Sequence, residues 1–297
     1  MRFDSRLPRA LSVIAVIGIM TQSTWAQSVY EGFKLTFPLY NTGSGFTGAW
    51  AVGGFNAFVA GYTAGEKSLA FSGLATSPGR VISQAFPQIN GTTRNLTQVL
   101  GANNTTAYLS FMLRPQGTLD DGVFNGFFGV TLNGAAFQDL FVGKPGGGAV
   151  HEWVIESRGG GGQLSSGVPV VIGQTAFFVV KADFLAGVDH FTLYVNPTPG
   201  EGEPATGIVK SDQDLGAVTK VGIYSTGAFD VDEIRIGATY ASVTPRVAFA
   251  GTPGANNCHG QSVSALSQEH GGLPKAAAAL GYSGVGALQA AIASHCN

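Results

Sequence analysis

Short segments rich in β-branched and aromatic residues recur from Val29 to about Val243, and Gly, Pro, Asn or Asp bounds most of them. They include SLAFSGL, TAYLSFMLRP, GFFGVTLNG, DLFVGKP, EWVIES, VPVVIG, AFFVVKADF, HFTLYVNP, KVGIYS and DEIRIGATY. Many alternate: in His190–Val195, Phe191, Leu193 and Val195 point one way and Thr192 and Tyr194 the other. No amphipathic helix of useful length interrupts them, so parallel crossovers have no material to form from. The chain is therefore expected to be all-β, two antiparallel sheets packed face to face. The 44 glycines and 20 phenylalanines suit tight turns around an aromatic core, and a charged fraction of 11% leaves little for a charged surface.

Both ends depart from this pattern. Arg2, Arg6 and Arg9 precede an apolar run, Ala10–Met20, and then Thr24-Trp25-Ala26. Basic, apolar and small segments in that order read as a signal peptide, residues 1–26, with the apolar run too short to span a bilayer. The mature chain is expected to be secreted or periplasmic, with no membrane span. After Val243 the period changes. A linker is expected over 246–257 and a helical tail over 258–297, leaving 27–245 for the sandwich. Ser262 is placed to cap a first tail helix ending at Gly271-Gly272, Pro274 to open a second, and Ser283 to cap a third. In an oxidising compartment Cys258 and Cys296 are expected to form a disulfide that closes the tail. A formal net charge of -2 with no basic run gives nucleic acid no electrostatic handle.

YEGF (Tyr30–Phe33), GSGFTGAW (Gly43–Trp50), KSLAFSGLATSPG (Lys67–Gly79), YLSFMLRP, LFVGKPGGG, LYVNPTPGEGEP and FDVDEIRIGATYASVTP occur in this order. Together they resemble bacterial laminin-G-like domains of the concanavalin A-like lectin/glucanase superfamily, over roughly residues 29–245. The resemblance implies a jelly-roll sandwich. It does not fix an activity, since such domains include sugar binders, calcium-dependent adhesion modules and glycosidases.

Glycosidases of that superfamily carry E-x-D-x-x-E on one strand. Here Asp230 and Asp232 alternate, but Ile234 and Ile236 follow on their face, while Glu233 and Arg235 are expected to pair on the strand's wet side. Glu152 and Glu156 share a face without a third acid, so a working catalytic set is not expected. No cofactor is required. Calcium is the one ion to weigh, with Asp120, Asp121, Asp230 and Asp232 the candidate oxygen donors, although the Asp120-Asp121-Gly122 run is also an ordinary turn. Gly43–Gly48 fits G-x-G-x-x-G, but no helical stripe follows to hold phosphate. The loops Lys144–Ala149 and Arg158–Gly162 carry glycines without side-chain chemistry and read as flexible turns.

Sugars stack on aromatic faces, which makes Trp153, its neighbour Glu152, and Tyr194 the candidate ligand contacts, with Trp50 and Tyr62 behind them. The expectation is an exported, non-catalytic binding module for a glycan or cell-envelope surface. A protein-interaction module without a sugar site, and a divergent glycoside hydrolase, are the alternatives.

Overall fold

The computed structural model describes residues 28–34, 42–52, 62–85, 89–135, 138–147, 151–158 and 162–297. The expected signal peptide lies outside the described residues, as do parts of both glycine loops. The described strands are β1 (Val29–Glu31), β2 (Phe46–Val52), β3 (Tyr62–Gly65), β4 (Arg80–Ser83), β5 (Asn90–Leu100), β6 (Thr105–Pro115), β7 (Phe128–Asn133) and β8 (Asp139–Lys144). They continue with β9 (Glu152–Arg158), β10 (Gln163–Pro169), β11 (Ala176–Phe184), β12 (His190–Val195), β13 (Ile208–Lys210), β14 (Val218–Ser225) and β15 (Phe229–Gly237).

They form two antiparallel sheets. One runs β13-β12-β11-β6-β15-β4-β3 with β1 also on β15; the other runs β10-β9-β8-β7-β14-β5-β2. The chain changes sheet between β1 and β2, β2 and β3, β4 and β5, β5 and β6, β6 and β7, β10 and β11, β13 and β14, and β14 and β15, so that the two layers are woven into a jelly-roll sandwich. Alternate residues meet between the layers. Phe111 stacks on Phe178 (ring centroids 5.0 Å apart) and Phe128 on Phe229 (4.6 Å), with the Trp153 indole edge-on to Phe178 at 5.0 Å. Each such ring contributes about 1.5–3 kcal/mol by leaving water.

The outer face of the β6 sheet is also buried. SLAFSGL, expected as a strand, is instead an irregular cover held by one bridge, Leu74 to Arg246. It lays Leu69 and Leu74 against Tyr108, Met112, Phe177 and Val179. Conversely the polar segment NGTTRNLTQVL, with no clear alternation, is the long strand β5. Its Arg94 points inward and is neutralised by Glu31 (the two are ion-paired), which also accepts from Phe33 N at 2.9 Å, Thr42 Oγ1 at 2.6 Å and Trp50 Nε1 at 3.3 Å.

A bulge reshapes β15. Glu233 has φ 56°, and the β6 register slips between Asp232 and Arg235. The extra residue puts Val231, Ile234 and Ile236 all in the core, leaving Asp230, Asp232 and Arg235 on the outer side. Uninterrupted alternation would have grouped Ile234 with the two aspartates. Glu233 and Arg235 do pair, but the pair is enclosed, not wet: the residues are 0% and 7% exposed.

Three short helices end the chain after α1 (Val123–Gly126) and α2 (Tyr240–Val243): α3 (Cys258–His270), α4 (Leu273–Ala279) and α5 (Val285–Cys296). Helix α3 begins at Cys258, ahead of the expected cap. Ser262 lies inside it, donating to Cys258 O and accepting from Gly251 N, each at 3.0 Å. Gly271, left-handed at φ 70°, ends it, Pro274 sits in the first turn of α4, and α5 begins after Gly284. Cys258 and Cys296 are disulfide-bonded. The stretch expected as a linker is packed: Val247 and Phe249 join Leu266, Leu288 and Ile292 in one cluster, and Val247 N donates to Gly73 O. Among the described residues no helix is long and apolar enough to cross a membrane.

Candidate functional site

Strands β9, β8, β7, β14 and β5 turn one set of side chains to the core and the other outward. Their register aligns the outward set in three rows. The first is Val154, Gly143, Gly129, Tyr224 and Gly91; the second Glu156, Phe141, Thr131, Gly222 and Thr93; the third passes through Asp139, Asn133, Lys220 and Asn95. None of the three buried apolar clusters includes these side chains, although Val154, Thr131 and Phe141 are themselves buried.

Glycines make the floor. A Cβ on Gly91 would lie 2.7 Å from the Tyr224 ring and one on Gly222 2.8 Å from it; a Cβ on Gly129 would lie 2.5 Å from the Phe141 ring. The two aromatics therefore lean across positions that tolerate no side chain. Polar groups flank them, among them Asn133, whose Oδ1 accepts from Thr131 Oγ1 at 3.0 Å, and the exposed Asn95 and Lys220.

One end of the face deepens into a cavity of about 320 Å³ lined by Ile89, Phe124, Phe127, Phe141, Gly146, Gly147, Glu156 and Tyr224. The wall is α1, whose Phe124 and Asn125 are left-handed at φ 55° and 57°. Such a conformation costs about 1–2 kcal/mol at each non-glycine residue. Beside α1, and bonded to it through Gly147 N on Phe124 O at 3.0 Å, lies Gly146-Gly147, part of a loop that sequence reasoning read as a plain turn.

The residues singled out from the sequence are not brought together. Trp153 is 2% exposed with its ring in the core, so it offers no open stacking surface; it reaches only the rim of a separate pocket of about 180 Å³. Glu152 is on the outward face of β9, where it accepts from Ser165 Oγ. Tyr194 is on the other sheet, 7% exposed, donating to Glu203 Oε1 at 2.7 Å, while Tyr108 donates to Glu203 Oε2 at 2.7 Å. Burial and the Glu203 carboxylate hold both phenols well above the usual tyrosine range.

The four aspartates are equally dispersed. Asp120 lies 2.9 Å from His151 Nε2, and this hydrogen bond lowers its carboxyl below the usual range. The exposed Asp121 belongs to the turn closed by its own N–H on Thr118 O at 3.3 Å. Asp230 Oδ2 takes Arg80 Nε and Arg114 Nε at 3.1 Å and Gln116 Nε2 at 3.0 Å, so two guanidinium groups already answer its charge. Asp232 is enclosed on the outer side of the other sheet, accepting from Ser68 Oγ at 2.6 Å, Leu69 N at 2.8 Å and Glu233 N at 2.7 Å. Burial, then the Glu233 charge, raises the Asp232 carboxyl well above its ordinary value, and burial raises Glu233 despite Arg235. Among the described residues no group of three or more His, Cys, Asp or Glu side chains is arranged to hold a metal ion. Gly43–Gly48 bends into strand β2, so no helix N-terminus follows it.

The open face itself was missed in the sequence. Its signal was available: mid-strand glycines in GFFGVTLNG, DLFVGKP and KVGIYS mark close approach of other groups.

No family model and no curated protein matches the chain. Solved structures with a similar arrangement of strands include an endo-β-1,4-glucuronan lyase from the fungus Trichoderma reesei, at TM-score 0.43 and 9% identity over 74% of this chain and 98% of that one. The globular domain of T. cruzi calreticulin aligns at TM-score 0.38 and 10% identity over 63% and 87%, and the Emp47p carbohydrate recognition domain at 0.35 and 9% over 60% and 89%.

Proposed function

We propose that the chain is an exported, non-catalytic module that binds a glycan or glycan-bearing envelope surface on the open face of the β7–β14 sheet. The observation that supports this reading is the half-buried Tyr224, laid over a glycine floor beside the cavity and bordered by the half-buried Thr93 and the exposed Asn95, with Phe141 packed behind it. Flat aromatics match the apolar face of a pyranose, and flanking amides and hydroxyls match its hydroxyls. The disulfide fits the oxidising compartment that export implies.

The test is a glycan array probed with the mature protein, with and without calcium, alongside Tyr224→Ala and Gly222→Val. Binding lost in both variants supports the reading; no binding to any glycan in either condition refutes it and moves the role to protein partners. A second reading rests on one observation. Glu152, Glu156 and Asp139 share this face, so release of reducing ends that disappears in Glu156→Gln would make the groove hydrolytic.

A further inference from the structure

The outer face of the β6 sheet is covered over only part of its length. Leu69 and Leu74 lie on Met112, Phe177 and Val179. Further along the same strands the register sets Tyr108 beside Lys181 and Thr106 beside Asp183, and there a cavity of about 420 Å³ opens. Its lining includes Thr106, Tyr108, Lys181, Glu201, Glu203 and Tyr240.

The loop after β12 supplies two carboxylates. Glu203 is fixed by Tyr108 and Tyr194, which each donate to it at 2.7 Å. Glu201 is exposed, and its carboxylate has no hydrogen bond or ion pair among the described residues. Asp183, accepting from Thr106 Oγ1 at 2.6 Å, adds a third. Among the described residues the lining holds one cation, Lys181. Its Nζ stands 3.4 Å from Asp183 and 3.8 Å from Glu203, so one ammonium is shared between two of three acids. His190, opposite Asp183 on β12, adds a charge only when protonated. Arg246 lays its stem against Gly200, and its charge acts on Tyr282 in the tail. Outside the described residues the internal stretches carry no charged side chain, and Arg158 belongs to the other sheet.

Tyr240 borders the same cavity. It is 6% exposed, edge-on to Tyr108 and Tyr194, and its hydroxyl has no hydrogen-bond partner. Burial, then the Glu203 and Glu201 charges, pushes this phenol up to about 12, so both carboxylates act on one wall. An enclosed hydroxyl left unmet is costly to the fold. The acids are not arranged to hold a metal ion.

From this geometry we propose that the cavity is a second binding site, on the sheet opposite the open face, and that it takes a primary ammonium group carried by an amino sugar or an aliphatic polyamine. Its carboxylates outnumber its ammonium, and the Tyr240 oxygen is a further acceptor for an N–H. A neutral sugar would leave the surplus charge unanswered, and a carboxylated one would add to it. The inference does not rest on the reading of the open face.

Isothermal titration and amide NMR shifts of the mature protein with spermidine, tetraglucosamine and tetra-N-acetylchitotetraose, at low salt, test it. We expect one or both amines to bind with shifts centred on Thr106, Tyr108 and Ala241, the tighter one identifying the source, and the N-acetylated form not to bind there. Glu201→Gln removes an exposed charge without breaking a bond and should weaken binding about threefold or more; Glu203→Gln should weaken it about tenfold. Lys181→Met removes the resident competitor and should tighten binding about threefold, a gain that a structural role for Lys181 would not give. Glu269→Gln, exposed on α3, and Tyr224→Ala, on the open face, should bind as wild type. If circular dichroism shows Glu203→Gln misfolded, Glu201→Gln decides alone, and wild-type affinity in it overturns the site. Equal weakening in Glu269→Gln would mean diffuse attraction to an acidic chain, and loss in Tyr224→Ala would move the amine to the other sheet; either overturns the second site. Weaker binding in Lys181→Met, or equal binding of the N-acetylated form, overturns the ligand class. Absence of binding by both amines overturns the whole inference.

Discussion

Replacing Glu31 by Gln tests the argument about how the β5 edge of the sandwich tolerates a buried charge. Glu31 is 0% exposed and Arg94 3%. The carboxylate accepts from Arg94, Phe33 N, Thr42 Oγ1 and Trp50 Nε1. The Arg94 guanidinium also donates to Gly48 O and Thr42 O and lies 4.4 Å over the Phe46 ring. Breaking one side of a buried pair strands the other, and the usual cost is about 3–5 kcal/mol. For a domain of this size that lowers the melting temperature by about 10 °C. Glu31→Leu combined with Arg94→Met removes both charges and should recover about 2 kcal/mol relative to Glu31→Gln. It should stay below wild type, because Phe33 N and Trp50 Nε1 still lose an acceptor, at about 1 kcal/mol each. Urea unfolding with linear extrapolation measures all three proteins. A single variant costing under about 1 kcal/mol, or a double variant worse than the single, would refute the stranded-charge reasoning.

Two further outcomes follow from the geometry. Asp232 and Glu233 hold raised carboxyl values, so their stabilising contribution is complete below the ordinary carboxylate range and is lost as pH rises through the folded values. Stability should therefore fall as pH rises above the ordinary carboxylate range, by up to about 1.4 kcal/mol per pH unit for each proton retained on folding. The slope should flatten in Asp232→Asn; an identical slope in that variant removes the pair from the explanation. Opening the disulfide, which spans a sequence separation of 38, with Cys258→Ser and Cys296→Ser should cost the tail about 4 kcal/mol. Hydrogen exchange should then show α3 and α5 losing protection while β6 and β11 keep theirs; equal loss everywhere would mean that tail and sandwich unfold as one.

Local pattern carried the fold where a strand's two faces alternate cleanly. In HFTLYV, Phe191 and Leu193 are in the core and Thr192 and Tyr194 outside it, as the alternation requires. Pattern failed where burial comes from elsewhere in the chain. Strand β6 is buried on both faces because residues 66–79 lie over it, and that cover reads locally as another strand. Strand β5 reads as polar because Arg94 finds its counter-charge in β1, far away in sequence. The open face escaped for a related reason. Gly91, Gly129, Gly143 and Gly222 lie on four strands, and only the register between those strands sets them in one floor. Trp153 was singled out because it is large and aromatic, which are also the properties that draw it into the core.

The extra residue at Glu233 adds a carboxylate without changing which way β15 faces. Deleting that one position would restore plain alternation, with Val231, Ile234 and Ile236 still toward the core and Asp232 and Arg235 still outward. What would go is the carboxylate that pairs with Arg235 and accepts from Ser77 N and the Tyr30 hydroxyl, so the strand can shorten here only by stranding an enclosed guanidinium.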